Sequence, residues 1–280
     1  IYNPYVGKYG GGDQRWGANS LFQRIWNGWF GRVHPDGSLL RARGQAGIWL
    51  LRNGKRSAFL SRAAFAANYD SSKVIVVDPV ELENYAVGPA LRFPEPSLIQ
   101  MTSGGMYLLV NNEKRPIASK EVLRNLGYNP EEIIRRVKPS DLEAYPKGAP
   151  VTEADVYPTG RLLQSRQTGA IVYVDNANVR HTIYSKEILR SRFKNQRAER
   201  VSDNLINALP SGDPVYFRDG EIVASRTTGK VYIISNGQRR RIPNAEAFRE
   251  LGYKSKNIIK TNDRSIDIHP EGEPLNDITD

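Results

Sequence analysis

An internal repeat is the feature of this sequence that most restricts the folds open to it. A short apolar and aromatic run, a polar turn and a second short run recur four times, about 60 residues apart. The four copies begin at Ile48, Met106, Val172 and Val231. A unit of this size has too little chain to cover its own apolar face, so neighbouring units must cover one another.

Each copy predicts a β-hairpin followed by a helix. β-Branched and aromatic runs on either side of an Asn/Gly turn are typical of paired strands. A residue able to cap a helix follows each hairpin: Ser61, Ser119, Ser185 and Asn244. The helix is expected to bury one apolar residue in each copy: Phe65, Leu123, Leu189 and Phe248. It should end in a left-handed residue, with distortion at the arginine of the third copy: Asn68, Gly127, Arg192 and Gly252.

The remaining pattern predicts the domain organisation. A second strand, a short helical turn and a closing glycine complete each unit, the glycines being Gly88, Gly148, Gly212 and Gly272. We predict an N-terminal Gly/Tyr arm and Trp-rich helix over residues 1–37, then units over 38–96, 97–160, 161–220 and 221–280. The expected fold class is an α+β repeat protein whose four strand-rich units, each with an inserted helix, close into a β-propeller-like ring. A linear array of small α+β modules is the alternative.

Composition excludes several kinds of chemistry. The 280 residues include no cysteine, which excludes disulfides, thiol catalysis, thiolate zinc sites and iron–sulfur clusters. No two of the three histidines have metal-ligand spacing, so we expect no metal and no cofactor. No apolar run approaches the roughly 20 residues that cross a bilayer, so we expect no transmembrane segment. The formal net charge of +10 favours an anionic partner.

Two columns of recurring residues are the candidate ligand-binding residues. A cation stands beside the hairpin in every unit: Arg56, Lys114, Arg180 and Arg239. These four could line a common face for a polyanion, or they could protect a strand edge from aggregation. An aromatic residue recurs in the first strand of every hairpin: Trp49, Tyr107, Tyr173 and Tyr232. These rings could stack on sugars, or they could pack in the core.

The N-terminal segment is the candidate interface. Its large aromatic residues include Tyr2, Tyr5, Tyr9, Trp16, Trp26 and Trp29. A Gly/Tyr arm and one amphipathic helix cannot bury so many rings by themselves, and soluble monomers rarely expose such a patch. We therefore predict a protein–protein contact here, either onto the repeats or onto a second copy of the chain.

The repeat resembles that of a known group of proteins. Its recurring string is apolar-Tyr-apolar-apolar-x-Asn-Gly-x-Arg-Arg-x-Ile, followed by a capped helix and Leu-Gly-Tyr, and it is clearest at Val231–Tyr253 and Met106–Tyr128. It is similar to tandem repeats of uncharacterised secreted or surface proteins of bacteria, where it accompanies cell-wall or polysaccharide-acting domains. The resemblance covers about Leu39 to Leu275. It implies an extracellular or cell-surface location and assigns no catalytic residue.

These observations favour a non-enzymatic protein. We expect it to bind envelope or extracellular polysaccharide, or another anionic surface. The alternative is a structural subunit of a surface filament or layer, self-assembled through the N-terminal arm. A polysaccharide hydrolase would need a pair of carboxylates, which no sequence pattern singles out. Nucleic acid is a weaker candidate, because the basic residues are spread along the chain and no nucleic-acid-binding motif is present.

Overall fold

The computed structural model describes residues 34–126, 132–152, 160–175, 177–194 and 196–275. The predicted interface lies outside these residues: Tyr2, Tyr5, Tyr9, Trp16, Trp26 and Trp29. Gly127, predicted to end a helix, also lies outside them. The described residues form four small mixed sheets with a few short helices, which is an α+β modular fold.

Each unit contains one sheet. In the first two units the elements are β1 (Leu39–Ala42), β2 (Trp49–Arg52), β3 (Lys55–Ala58), α1 (Arg62–Asn68), β4 (Ile75–Val77), α2 (Pro79–Glu83), β5 (Ser97–Met101), β6 (Met106–Val110), β7 (Glu113–Pro116), α3 (Lys120–Asn125) and β8 (Ile134–Val137). In the last two they are β9 (Arg161–Ser165), β10 (Ile171–Val174), β11 (Arg180–Thr182), α4 (Lys186–Arg192), β12 (Glu199–Val201), α5 (Asp203–Asn207), β13 (Ile222–Ser225), β14 (Val231–Ser235), β15 (Gln238–Arg241), α6 (Ala245–Glu250), β16 (Ile258–Thr261), α7 (Asp263–Asp267) and β17 (Glu271–Gly272). Short 3₁₀ turns cover Ser71–Lys73, Pro139–Leu142 and Ser255–Asn257.

The four sheets share one topology. The first strand of each unit lies between the antiparallel second strand and the parallel fourth strand, and the third strand lies beyond the second. The orders are β3-β2-β1-β4, β7-β6-β5-β8, β11-β10-β9-β12 and β16-β13-β14-β15-β17. Met106 and Val231 begin equivalent second strands, as the repeat predicts.

The hairpin prediction is confirmed, and the third unit differs in its turn. Asn53 and Gly54 have φ values of 50° and 68°, which is the two-residue turn that suits the twist of paired strands. The third unit has no glycine at this place. There the Asp175 carboxylate accepts hydrogen bonds from the amides of Ala177 at 3.0 Å and Val179 at 2.8 Å, and these bonds hold a longer turn.

The predicted helix starts are confirmed. The side chains of the four capping residues accept hydrogen bonds from amides of the first helical turn. The predicted left-handed ends are correct at Gly252, whose φ is 69°, and wrong at Asn68 and Arg192. In those two units the next residues, Tyr69 and Phe193, leave the helix with φ values of −126° and −128°, so no side chain has to adopt the left-handed region.

The apolar residue predicted to be buried in each helix is buried in three units, and in the third unit a neighbouring residue is buried instead. Phe65, Leu123 and Phe248 are buried, as predicted. Leu189 is only half-buried, so that prediction is wrong, and the preceding Ile188 is fully buried instead. Ile188 packs in a cluster with core residues of the fourth unit, so the helix of unit three faces its neighbour more than its own sheet.

Helices connect neighbouring units. Ala64 of α1 packs into the core beside β5 and β8 of unit two, and α4 of unit three contacts β16 of unit four. Units four and one also touch: a Cβ on Gly252, just after α6, would lie 2.7 Å from Cγ2 of Ile75 in β4. In all three places the helix region of one unit meets the fourth strand of another. The backbones of Gly37 and Gly220, the residues that immediately precede units one and four, also lie against each other.

Candidate functional site

The basic column lies on the third strands, and its side chains form hydrogen bonds within their own units. Every one of its side chains is half-buried. Each donates to a main-chain carbonyl at or just after the second helical segment of its own unit: Arg56 Nη1 to Leu82 O (3.0 Å), Lys114 Nζ to Leu142 O (2.9 Å), Arg180 Nε to Leu209 O (3.1 Å) and Arg239 Nη1 to His269 O (3.2 Å). A cation suits this place because carbonyls at the end of a helical segment carry partial negative charge.

The residues next to this column fasten the closing segment. Each side chain bonds the main-chain carbonyl of the residue just after its unit's closing glycine: Arg115 Nε to Ala149 O (2.9 Å), His181 Nδ1 to Asp213 O (2.7 Å) and Arg240 Nε to Glu273 O (2.8 Å). The cations therefore recur because the chain around each closing glycine, whose carbonyls they bond, also recurs. The structure does not bring the four column residues together in the cavity described below, and their role in ligand binding stays a prediction.

The aromatic column lies against the cores of the units. Trp49, Tyr107, Tyr173 and Tyr232 are half-buried and pack against clusters of buried residues. The guanidinium carbon of Arg56 lies 5.0 Å from the ring centroid of Trp49, so the two columns touch in unit one. Tyr173 also lines the cavity between the units. Sugar stacking by the column likewise stays a prediction.

All four units contribute to a cavity of about 750 Å³. Seven basic side chains line it: Arg62, Lys73, Arg190, Arg192, Lys194, Arg218 and Lys254. Four acidic side chains line it as well: Asp70, Glu132, Asp219 and Glu221. Five aromatic rings complete the walls: Phe65, Tyr69, Tyr173, Phe193 and Tyr253. The cavity is therefore basic, aromatic and shared by all the units.

Glu221 joins three units at the cavity wall. Its side chain is 6% exposed and forms an ion pair with Lys73 of unit one, with 3.2 Å between Nζ and Oε1. The hydroxyl of Ser191, at the end of α4, donates to both carboxylate oxygens at 2.8 and 2.7 Å. The amide of Arg218 donates to Oε2 at 3.0 Å. Three donors thus make four hydrogen bonds to one buried carboxylate.

Two arginines lie together beside this carboxylate. Arg218 Nη1 donates to Asn68 O at the end of α1 (2.9 Å), and Nη2 donates to Arg192 O at the end of α4 (3.4 Å). Arg192 lines the cavity, and its side chain is exposed to the solvent there. Partial desolvation by the surrounding protein, and next the charge of Arg218, lower the pKa of the Arg192 guanidinium below its ordinary value.

Sequence reasoning missed these cavity residues, although a signal was present. Arg192 stands where the best-matching repeats have glycine, and it belongs to the densest basic run of the chain. A basic run after a helix is most simply read as a solvated surface. The structure places Arg190, Arg192 and Lys194 at the cavity, where they remain exposed to solvent. The departure from the repeat pattern thus marks a residue that lines the cavity.

His269 has a structural role in the fourth unit. Its fully buried ring accepts a hydrogen bond from the Phe217 amide at Nε2 (3.2 Å), so Nδ1 carries the proton and donates to Gly237 O at 3.0 Å. Tyr145 does the same in unit two, where its hydroxyl accepts from the Phe93 amide at 3.1 Å. The ring is therefore neutral, and burial lowers the pKa of His269.

This neutral histidine predicts a pH dependence of stability. Because the pKa of folded His269 lies below its ordinary value of 6.5, the unfolded chain binds a proton that the folded chain does not. Its contribution is therefore complete above pH 6.5 and is lost as the pH falls below it. His269→Gln keeps an acceptor and cannot titrate. Between pH 6.5 and 5 the difference in unfolding free energy, measured by urea denaturation, should change in favour of the variant by up to about 1.4 kcal/mol per pH unit. Parallel profiles would contradict this assignment.

In the described ranges, no group of three or more His, Asp or Glu side chains is placed to hold a metal ion. Within that part of the chain, no helix has the length and apolar character needed to cross a membrane.

Comparisons with known proteins add little. No protein-family model matches the sequence, and no curated protein matches it. Solved structures show a weak likeness. A chain of the periplasmic assembly from the ESX-5 inner membrane complex is 11% identical, with 88% of this chain and 95% of that chain covered and a TM-score of 0.19. A chain of an intact ESX-5 inner membrane complex is 12% identical, with 91% and 83% covered and a TM-score of 0.18. The EccB3 dimer from the ESX-3 core complex is 11% identical, with 85% and 98% covered and a TM-score of 0.18. At these scores the backbones do not superpose as wholes.

Proposed function

We propose that this protein is a non-enzymatic, extracellular or cell-surface protein that binds an acidic polysaccharide of the envelope or extracellular matrix. The observation that carries the proposal is the cavity shared by the four units, where seven basic side chains face four acidic ones. Such a surplus of positive charge in a concave site attracts a polyanion and holds it more strongly than a flat surface does.

The walls of the cavity suit a sugar. Aromatic rings offer an apolar surface to the C–H face of a pyranose, while charged and polar groups fix its orientation. Tyr69, Tyr173 and Phe193 line the same cavity as the arginines. The volume of about 750 Å³ falls within the range usual for ligand sites and would hold a few sugar residues of a longer chain.

The finer architecture belongs to the same proposal. We infer that the four units close into a propeller-like ring around the cavity. Three contacts support this, since the helix region of one unit meets the fourth strand of another from unit one to two, from three to four and from four to one. The last of these joins the two ends of the repeat array. In a ring the ligand would meet side chains from units that are far apart in sequence.

The structural-subunit alternative rests on residues outside the described part of the chain. It remains the second candidate because the N-terminal aromatic residues need a partner surface. Sedimentation at increasing concentration, with and without residues 1–18, separates the two functions. A polymer that the truncation abolishes would favour a filament or layer, and a monomer in both samples would favour ligand binding.

Retention on immobilised polysaccharide tests the proposed function. We expect the full chain to be retained on polygalacturonate at low salt, to be released as salt rises, and to pass through a dextran matrix of the same mesh. The salt dependence follows because mobile ions screen solvent-accessible charge over about 10 Å at 0.1 M. Equal retention on dextran, or none on polygalacturonate at low salt, would contradict the proposal.

A further inference from the structure

We propose that Arg192 and Arg218 form a carboxylate-binding subsite within the cavity, which takes the uronate group of an acidic sugar. The inference rests on the proposed function and gives it a specific chemistry. It assigns the ligand's charged group to two residues, both outside the recurring basic column.

Arg218 is held in place while most of its donors remain available. Its two hydrogen bonds go to Asn68 O and Arg192 O, the carbonyls at the ends of α1 and α4. A guanidinium carries five N–H groups. The other three make no hydrogen bond with any residue that the structure describes. The helix ends thus orient this guanidinium toward the cavity wall without supplying a full negative charge.

Arg192 lacks a partner for its side chain. Its guanidinium makes no hydrogen bond or ion pair with any described residue, although it lines the cavity near Tyr69 and Tyr173. Arg218 is close enough to disfavour its charge. Two neighbouring guanidinium groups repel each other, and an anion bound to both replaces that repulsion with two attractions.

The nearby carboxylate of Glu221 does not neutralise the two guanidinium groups. Glu221 acts on Arg192 from a distance, but its oxygens already accept hydrogen bonds from Lys73, Ser191 and the Arg218 amide. Lys73 and Glu221 form a neutral pair. The two guanidinium charges therefore remain for a ligand.

A carboxylate fits this pair better than a point anion does. Its two oxygens lie in a plane and match the fork of a guanidinium, which donates two parallel N–H bonds. A uronate carries this group on a sugar ring, whose apolar face can contact Tyr69 or Tyr173, two rings that line the cavity near Arg192. The subsite would thus recognise a charge and a ring together.

Calorimetric titration of the full chain with tri-galacturonate tests the subsite. We expect Arg192→Gln to weaken binding by about tenfold or more, because it removes a charge-assisted, bidentate pair. Arg192→Lys should recover part of the affinity, since it restores the charge without the fork. Arg249→Gln is the matched control: it removes one cation from the last turn of α6, outside the cavity, and should change affinity less than about twofold.

The outcomes separate this inference from the function on which it rests. If wild type binds and Arg192→Gln binds equally well, the subsite is wrong while polysaccharide binding stands. If wild type binds neither tri-galacturonate nor polygalacturonate, both are wrong. If Arg192→Gln loses a sulfated oligosaccharide as strongly as the carboxylated one, the preference for carboxylate is wrong. Melting temperatures of all variants within a few degrees of wild type would show that the fold is kept.

Discussion

Replacing Gly220 with alanine is expected to destabilise the protein by about 3 kcal/mol. Gly220, the residue before unit four, has a φ of +83°, and a Cβ there would lie 2.1 Å from the carbonyl oxygen of Gly37, the residue before unit one. The obstacle is backbone, which cannot rotate away as a side chain can. Units one and four would have to separate at this contact. Unfolding by urea, followed by tryptophan fluorescence or circular dichroism, measures the loss.

Gly229→Ala is the matched control for that experiment. Its φ of +72° imposes the same conformational cost, but nothing lies within 4 Å of the added carbon. We expect a loss of about 1 kcal/mol from the positive φ alone. The double variant Gly37→Ala/Gly220→Ala should cost less than the sum of its parts, because one separation accommodates both methyl groups. Equal losses at Gly220 and Gly229 would show that the two units do not depend on this contact.

Local structure was predictable from the sequence because it depends on nearby residues. Asn53 and Gly54 specify their turn, and Ser61 caps its helix, whatever the rest of the chain does. Four copies of such signals predict four similar modules. The failures lie where another unit intervenes: Ile188 rather than Leu189 is buried because the helix faces the sheet of unit four.

The site was harder to predict for the same reason. Arg56 and its equivalents each bond a carbonyl of their own unit, so the repetition of this column has a structural explanation, and its ligand-binding role stays a prediction. Arg192 and Glu221 meet Lys73 only after units three, four and one have packed. No spacing along the sequence encodes that meeting. In a repeat protein, residues that depart from the pattern are therefore the ones to examine for function.

Glu221 should be the most sensitive ionisable residue of this junction. It belongs to unit four, is buried and binds donors from units one and three, whereas Lys73, its ionic partner, is 35% exposed and can regain water. Replacing Glu221 with glutamine leaves the Ser191 hydroxyl and the Arg218 amide facing an amide group that offers one acceptor in place of two. We expect a loss of about 2–3 kcal/mol, since hydrogen bonds to a charged group contribute more than neutral ones.

Glu187→Gln provides the comparison that makes this loss interpretable. Glu187 is also shielded, with a side chain 10% exposed, and it forms an ion pair with Arg226 at 2.7 Å. That pair joins only two units, and Arg226 is 48% exposed, so we expect Glu187→Gln to lower the free energy of unfolding by about 1 kcal/mol or less.

Lys73→Met, combined with Glu221→Gln in a double-mutant cycle, isolates the ionic part from the bonds to Ser191 and Arg218. Because Ser191 precedes Arg192 on α4, the glutamine variant should also bind tri-galacturonate more weakly than Glu187→Gln does. Equal stability and equal affinity in the two glutamine variants would mean that Glu221 neither holds the units together nor positions the cavity arginines.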